Sequence, residues 1–63
     1  MNQIKKARLD KQLSQAELAQ KVACSQQHIS DIENGKFIPS RHLAKQLAET
    51  LQMDVIDILY PDD

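Results

Sequence analysis

Two helix starts stand eleven residues apart, at Ser14 and Ser25, and they leave almost no room for a connection between the helices they open. Ser14-Gln15-Ala16-Glu17 reads as a capping box, in which the serine hydroxyl accepts from the backbone N–H of Glu17 and the glutamate carboxylate reaches back. Leu13 before the cap and Leu18 at the fourth helical position form the matching hydrophobic staple. Leu18, Ala19 and Val22 follow at helical spacing, which predicts a helix over about 15–22. Ser25 repeats the arrangement, with Cys24 and Ile29 as its staple pair. Only Ala23 and Cys24 then lie between the two helices. So short a joint forces a sharp turn, and two helices meeting there at a steep angle form a helix-turn-helix.

The rest of the chain carries the same punctuation. Ile29 and Ile32 face inward three apart, and Asn34-Gly35 supplies residues that tolerate the left-handed conformation closing a helix. Pro39-Ser40 opens a further helix, with Leu43, Leu47, Ala48 and Leu51 on its inner face. Asp54-Val55-Ile56-Asp57 opens a last one, with Met53 and Ile58 as its staple. Before all of these, Ile4 to Lys11 reads as a first helix with Ile4, Ala7 and Arg8 toward the core. The expectation is an all-α fold of five short helices. One Gly, two Pro and few β-branched residues agree with it. Residues 1–60 are expected to form one helix-turn-helix domain, and 61–63 a short acidic tail. Sixty-three residues lie near the lower limit for a chain that folds on its own core.

Several classes of function find no support. No apolar run approaches the roughly 20 residues needed to span a bilayer, and MNQIKKARLD lacks a hydrophobic targeting core. The lone Cys24 forms no internal disulfide, which fits a reducing cytoplasm. Cys24, His28 and His42 lack the paired ligand elements of a zinc site, and Cys24 is already used as a staple, so neither metal nor cofactor is expected. No Ser-His-Asp, paired-carboxylate or Gly-rich phosphate signature is present, so no enzyme is expected.

The net charge of −1 conceals a division. Residues 1–45 hold all eight Lys and Arg against four acids, a balance of +4. Residues 46–63 hold no base and five acids, a balance of −5. A body with a basic end and an acidic end can orient on a polyanion despite a near-neutral total. A solvated surface whose signs happen to segregate is the plainer alternative.

From Gln15 to Gly35 the stretch QAELAQKVACSQQHISDIENG resembles the helix-turn-helix of the lambda repressor and Cro family, also called the XRE family. The resemblance extends over roughly Ile4 to Leu59. It rests on Gln15 opening the second helix, Ala19 where two helices cross, Ile29 and Ile32 inside the third, the Glu33-Asn34-Gly35 ending, and Pro39-Ser40 beyond it. QAELAQKV and the Gln26-Gln27 pair look especially like repressors of lambdoid phages. The departures are Ala23, where the family usually has Gly, and Gln12 and Gln52, where Gly or Asn is common. The third helix also carries no base, and it places Asp31 on its outer face.

Gln26, Gln27, Ser30, Asp31 and Asn34 lie outward if Ile29 and Ile32 lie inward. Solvation alone would suit such residues. The resemblance implies base recognition by Gln26, Gln27, Ser30 and Asp31, since a glutamine amide matches the adenine edge. It further implies backbone contacts by Gln15 and Asn34 on either side of a DNA groove. Lys36, Ser40 and Arg41 are expected to join them at phosphates. Arg8 and Glu33 are expected to pair across the core, as residues at the matching family positions do, and to read no sequence.

The whole pattern points to a regulator, a repressor by its nearest resemblance, that reads double-stranded operator DNA as a homodimer. On the last helix Val55 and Ile58 can face the core, which leaves Ile56 and Tyr60 outside, one turn apart, as the expected dimer contact. Scattered surface apolars would look the same. The competing function is a protein-interaction adaptor or antitoxin on the same fold, whose acidic end binds a protein partner.

Overall fold

A computed structural model describes residues 3–60. Their chain forms five helices: α1 (Gln3–Asp10), α2 (Gln15–Lys21), α3 (Gln26–Glu33), α4 (Arg41–Leu51) and α5 (Val55–Leu59). This is the all-α, five-helix lambda-repressor-like architecture that the sequence leads one to expect. The acidic tail at 61–63 lies outside the described residues.

Each start has an identifiable cause. Ser14 makes the full capping box: its Oγ accepts from the Glu17 N–H at 3.0 Å, and the Ser14 N–H donates to Glu17 Oε1 at 2.8 Å. Hydrogen bonding to the carboxyl by the Ser14 backbone N–H first, and by the Ser14 hydroxyl second, holds Glu17 below the usual carboxylate range. A carboxylate lowered on folding adds stability above its unfolded pKa, and that share is lost as pH falls through the lowered folded value. Ser25 makes half of such a box. Its Oγ accepts from the His28 N–H at 3.1 Å, but a histidine stands where the reciprocal glutamate would be. Ser40 caps α4 by accepting from the Leu43 N–H at 3.2 Å, after the buried Pro39. Asp54 departs from expectation. Its side chain makes no capping bond, and α5 closes its first turn through the backbone, with Asp57 N–H donating to the Asp54 carbonyl at 3.1 Å.

The helix ends share one device. After α1, α2 and α3 a residue at positive φ reverses the chain, and the next N–H donates back five residues: Leu13 to Arg8, Cys24 to Ala19, and Lys36 to Asp31. After α4, Met53 donates to Ala48 in the same way. The reversing residues are Gln12 (φ 59°), Ala23 (57°), Gly35 (79°) and Gln52 (57°). Only one is glycine. A Cβ at Gly35 meets nothing within 4 Å, so backbone conformation rather than space selects glycine there. Lys11 and Val22 belong to these reversals, which is why α1 and α2 each end one residue before the periodic pattern does.

The core gathers Ile4, Leu18, Ala19, Val22, Ile29, Ile32, Ala44, Leu47, Leu51 and Ile58. α2 packs mainly on α3 and α4 on α5, while α1 reaches α3, α4 and α5. On α4 the fully buried residues are Ala44, Leu47 and Leu51; Leu43 and Ala48, expected on the inner face, flank it half-buried. Ala44 is as fully buried as Leu47, which apolar periodicity favouring leucine does not reveal. Cys24 packs at the rim of this core as the expected staple, and burial pushes its thiol pKa up, which favours the neutral, apolar form.

Ala23 tests the reversals most directly. An alanine held left-handed costs about 1–2 kcal/mol, and glycine returns part of that gain to the unfolded chain. Ala23→Gly is expected to stabilise the domain by about 1 kcal/mol and raise its thermal midpoint by about 4–8 °C. Calorimetry of the two chains would show it, and an unchanged or lower midpoint would contradict the strain.

Candidate nucleic-acid interface

α3 owes its placement to both of its ends and to one buried contact. Ala23 turns the chain out of α2, and two residues later Ser25 caps α3, so the second helix starts before the chain can travel far from the first. Ile29 and Ile32 anchor the inner face. One turn beyond Ile29, Glu33 is buried beside Arg8 of α1. Arg8 Nε donates to Glu33 Oε2 at 2.7 Å and Nη2 donates to Oε1 at 3.1 Å. The two side chains are 8% and 2% exposed. Arg8 Nη1 also donates to the Leu13 carbonyl at 2.7 Å, and Gln15 Nε2 donates to Glu33 Oε1 at 3.1 Å. The network therefore joins α1, the α1–α2 loop, α2 and α3.

The face opposite Ile29, Ile32 and Glu33 carries Gln27, Ser30, Asp31 and Asn34, spaced three, four and seven residues apart. Gln27 and Asn34 are exposed, while Ser30 and Asp31 are half-buried. Gln26 is exposed at the helix start. Two side-chain bonds stitch this face along its length: Gln27 Nε2 donates to Asp31 Oδ1 at 3.0 Å, and Asn34 Nδ2 donates to Ser30 Oγ at 3.4 Å. Lys36 and Arg41 are exposed in the segment that follows. The face is thus polar along α3, with cations just beyond its C-terminal end.

Some expected residues are engaged within the protein. Gln15 was expected at a phosphate, yet its amide nitrogen is turned toward the Glu33 carboxylate, which leaves its carbonyl oxygen, second N–H and backbone for another partner. Ser40 uses its oxygen as a helix cap and keeps its hydroxyl hydrogen to donate. Ile56 and Tyr60 are 62% and 74% exposed, while Ile58 is buried. Sequence reasoning passed over Phe37 and Ile38, 52% and 67% exposed in the loop between α3 and α4, although two apolar residues just before a proline are a visible signal. The Phe37 ring lies 5.7 Å from that of His28. A polar depression lined by Asp10, Lys11, Leu13, Lys21 and Thr50 includes no residue of α3. Among the described residues no group of His, Cys, Asp or Glu is placed to hold a metal ion, and no helix is long and apolar enough to cross a membrane.

The buried pair yields a testable asymmetry. Glu33→Leu strands the Arg8 guanidinium in the core and is expected to cost about 3–5 kcal/mol, whereas replacing both partners by apolar residues removes the stranded charge. The double variant Arg8→Met with Glu33→Leu should therefore be more stable than Glu33→Leu alone in urea unfolding. The reverse order would mean that the pair is not the contact holding α3.

Comparison with known proteins agrees with this geometry. Residues 4–58 match the family model described as Helix-turn-helix. The ImmF control region 10 kDa protein of Bacillus phage phi105 is 36% identical over 52 residues, covering 82% of this chain and 58% of the phage protein. An uncharacterized HTH-type transcriptional regulator of Methanocaldococcus jannaschii is 40% identical over 63 residues, covering 98% of this chain and 96% of that protein. The chain thus spans little more than half the length of the phage relative and nearly all of the archaeal one. With five helices in this order, α2 and α3 separated by only four residues, and a family match over nearly its whole length, the chain belongs to the XRE family of helix-turn-helix proteins.

Proposed function

We propose that the chain is a sequence-specific DNA-binding transcriptional regulator, a repressor acting as a homodimer, that reads operator half-sites by laying α3 into the major groove. The observation that carries this reading is the outer face of α3: a row of uncharged amides and hydroxyls with one carboxylate, on a helix fixed from behind by the Arg8–Glu33 pair. Side chains of this type match base edges, and a rigid mount keeps them in register with the groove. Gln26 and Gln27 read bases, with Ser30 one turn on. Asn34, Lys36, Ser40, Arg41 and the backbone at Gln15 hold phosphates on either side. The relatives support the same class of activity, the archaeal protein being described as a transcriptional regulator.

Size supports the dimer. The domain measures 25 Å along its longest axis, while half-sites one helical turn apart are separated by about 34–36 Å. Two copies are needed to read both. The α5 residues Ile56 and Tyr60 supply the apolar contact between them, with the acidic side chains of Asp54 and Asp57 alongside.

Gln27→Ala is expected to cost roughly 1–3 kcal/mol on an operator selected from random duplexes, and much less on mixed-sequence DNA. Equal losses on both would show that α3 touches only the DNA backbone. If the unaltered chain shows no binding to mixed-sequence DNA even at low salt, the acidic end is the working surface and a protein is the partner. Ile56→Asp is expected to keep the helical circular-dichroism spectrum while weakening cooperative filling of paired half-sites. Undiminished cooperativity would remove α5 from the dimer contact.

A further inference from the structure

The bond between Gln27 and Asp31 serves neither capping nor core packing. It lies on the outer face of α3, one turn apart, with Gln27 Nε2 donating to Asp31 Oδ1 at 3.0 Å. A carboxylate only accepts hydrogen bonds, so the amide must turn its NH2 end, never its carbonyl, toward Asp31. A glutamine without such a neighbour can present its amide either way round, because its last torsion is broad and nearly two-fold. Beside Asp31 only one of the two orientations is favourable.

We propose that Asp31 is a positioning residue that locks the Gln27 amide, so that its carbonyl oxygen and its second N–H face outward as an acceptor–donor pair set to read adenine. The inference rests on α3 entering the major groove. Adenine presents a donor at its N6 amino group and an acceptor at N7, the complement of that pair. Guanine presents two acceptors, O6 and N7. Matching both would take both N–H groups of the amide, and one of them is engaged by Asp31. The half-buried carboxylate adds a negative charge beside the groove edge, which further disfavours a base showing only acceptors. Asp31, expected from sequence to meet a base itself, acts in this account through Gln27.

The test uses the intact chain and duplexes selected by it from a randomised pool. Gln27→Ala identifies the base pair that Gln27 reads, as the position whose preference it flattens. Affinities for the four duplexes differing at that position are then measured for the unaltered chain, Asp31→Ala, Gln27→Ala and the double variant, with the thermal midpoint of each. The unaltered chain is expected to favour adenine over guanine by about tenfold or more. Asp31→Ala should cut that ratio several-fold without lowering the thermal midpoint, and Asp31→Asn should cut it too, because an amide at 31 can accept or donate. In the Gln27→Ala background, removing Asp31 should change base preference no further. A preference for any base other than adenine, or a ratio untouched by Asp31→Ala, overturns the lock. An equal effect of Asp31→Ala with and without Gln27 also overturns it, by showing that Asp31 meets the base directly. If Gln27→Ala flattens no position, Gln27 reads no base and the lock falls, an outcome separate from the other three; if the unaltered chain selects no sequence at all, the groove assignment of α3 falls instead.

Discussion

Arg8 and Glu33 lie 25 positions apart in the chain and share one buried contact, and the orientation of α3 depends on it. A core of ten apolar residues fixes how deeply the helices sit, but apolar packing is tolerant of small rotations. A forked guanidinium on a carboxylate is not, because its two parallel bonds constrain both planes. Arg8 satisfies three of its donors within the protein: two on Glu33 and one on the Leu13 carbonyl. Glu33 in turn accepts from Gln15 at the start of α2. Rotating α3 about its axis would break these bonds inside a nearly dry site. The polar face opposite is therefore held at a defined angle to the rest of the domain.

The second constraint is the brevity of the connections. Four helices end by reversing the chain at one left-handed residue, and three of those residues are Gln or Ala. Each non-glycine reversal stores strain that a longer loop would avoid. The compensation is positional: Leu13, Cys24 and Met53, directly after Gln12, Ala23 and Gln52, all turn back to pack against the core. A reversal followed at once by a buried side chain delivers the next helix to the core within two or three residues. Strain in the joints and compactness in a chain this short are two sides of one arrangement.

Much of this was legible before any coordinates. Ser14 with Glu17 marks a helix start by chemistry alone, and the caps at Ser25 and Ser40 follow the same logic. The inward pair Ile29 and Ile32 dictates which face of α3 is left outside. Other features were hidden for physical reasons. Asp54 looks like a cap by residue type, yet its carboxylate bonds no helix N–H, and type alone cannot say whether the rotamer that caps is adopted. Ala44 is fully buried on the α4 face, whereas periodicity draws attention to leucines. The turn of Gln15 toward Glu33, eighteen positions away, depends on tertiary placement that no local pattern encodes. The bond between Gln27 and Asp31 is local and at helical spacing, but an exposed glutamine and aspartate have several partners open to them, and only the folded helix selects one.

Charge resolves the apparent misfit of an acid-bearing helix and a polyanionic partner. Glu33, one of two acids on α3, is neutralised by Arg8 inside the core and contributes little field outside. The other, Asp31, is drawn back onto Gln27 and half-covered. Lys36 and Arg41, which follow α3 in the chain, and Lys21 at the end of α2 are exposed cations. Phosphate attraction supplies affinity without sequence information, whereas base contacts supply sequence information and need no net charge. On the proposed reading, separating the two tasks lets the outer face of α3 consist mostly of amides and hydroxyls, whose hydrogen-bonding patterns differ between bases, while cations lie outside it. A lysine on α3 would strengthen attraction to every sequence alike and add nothing to discrimination.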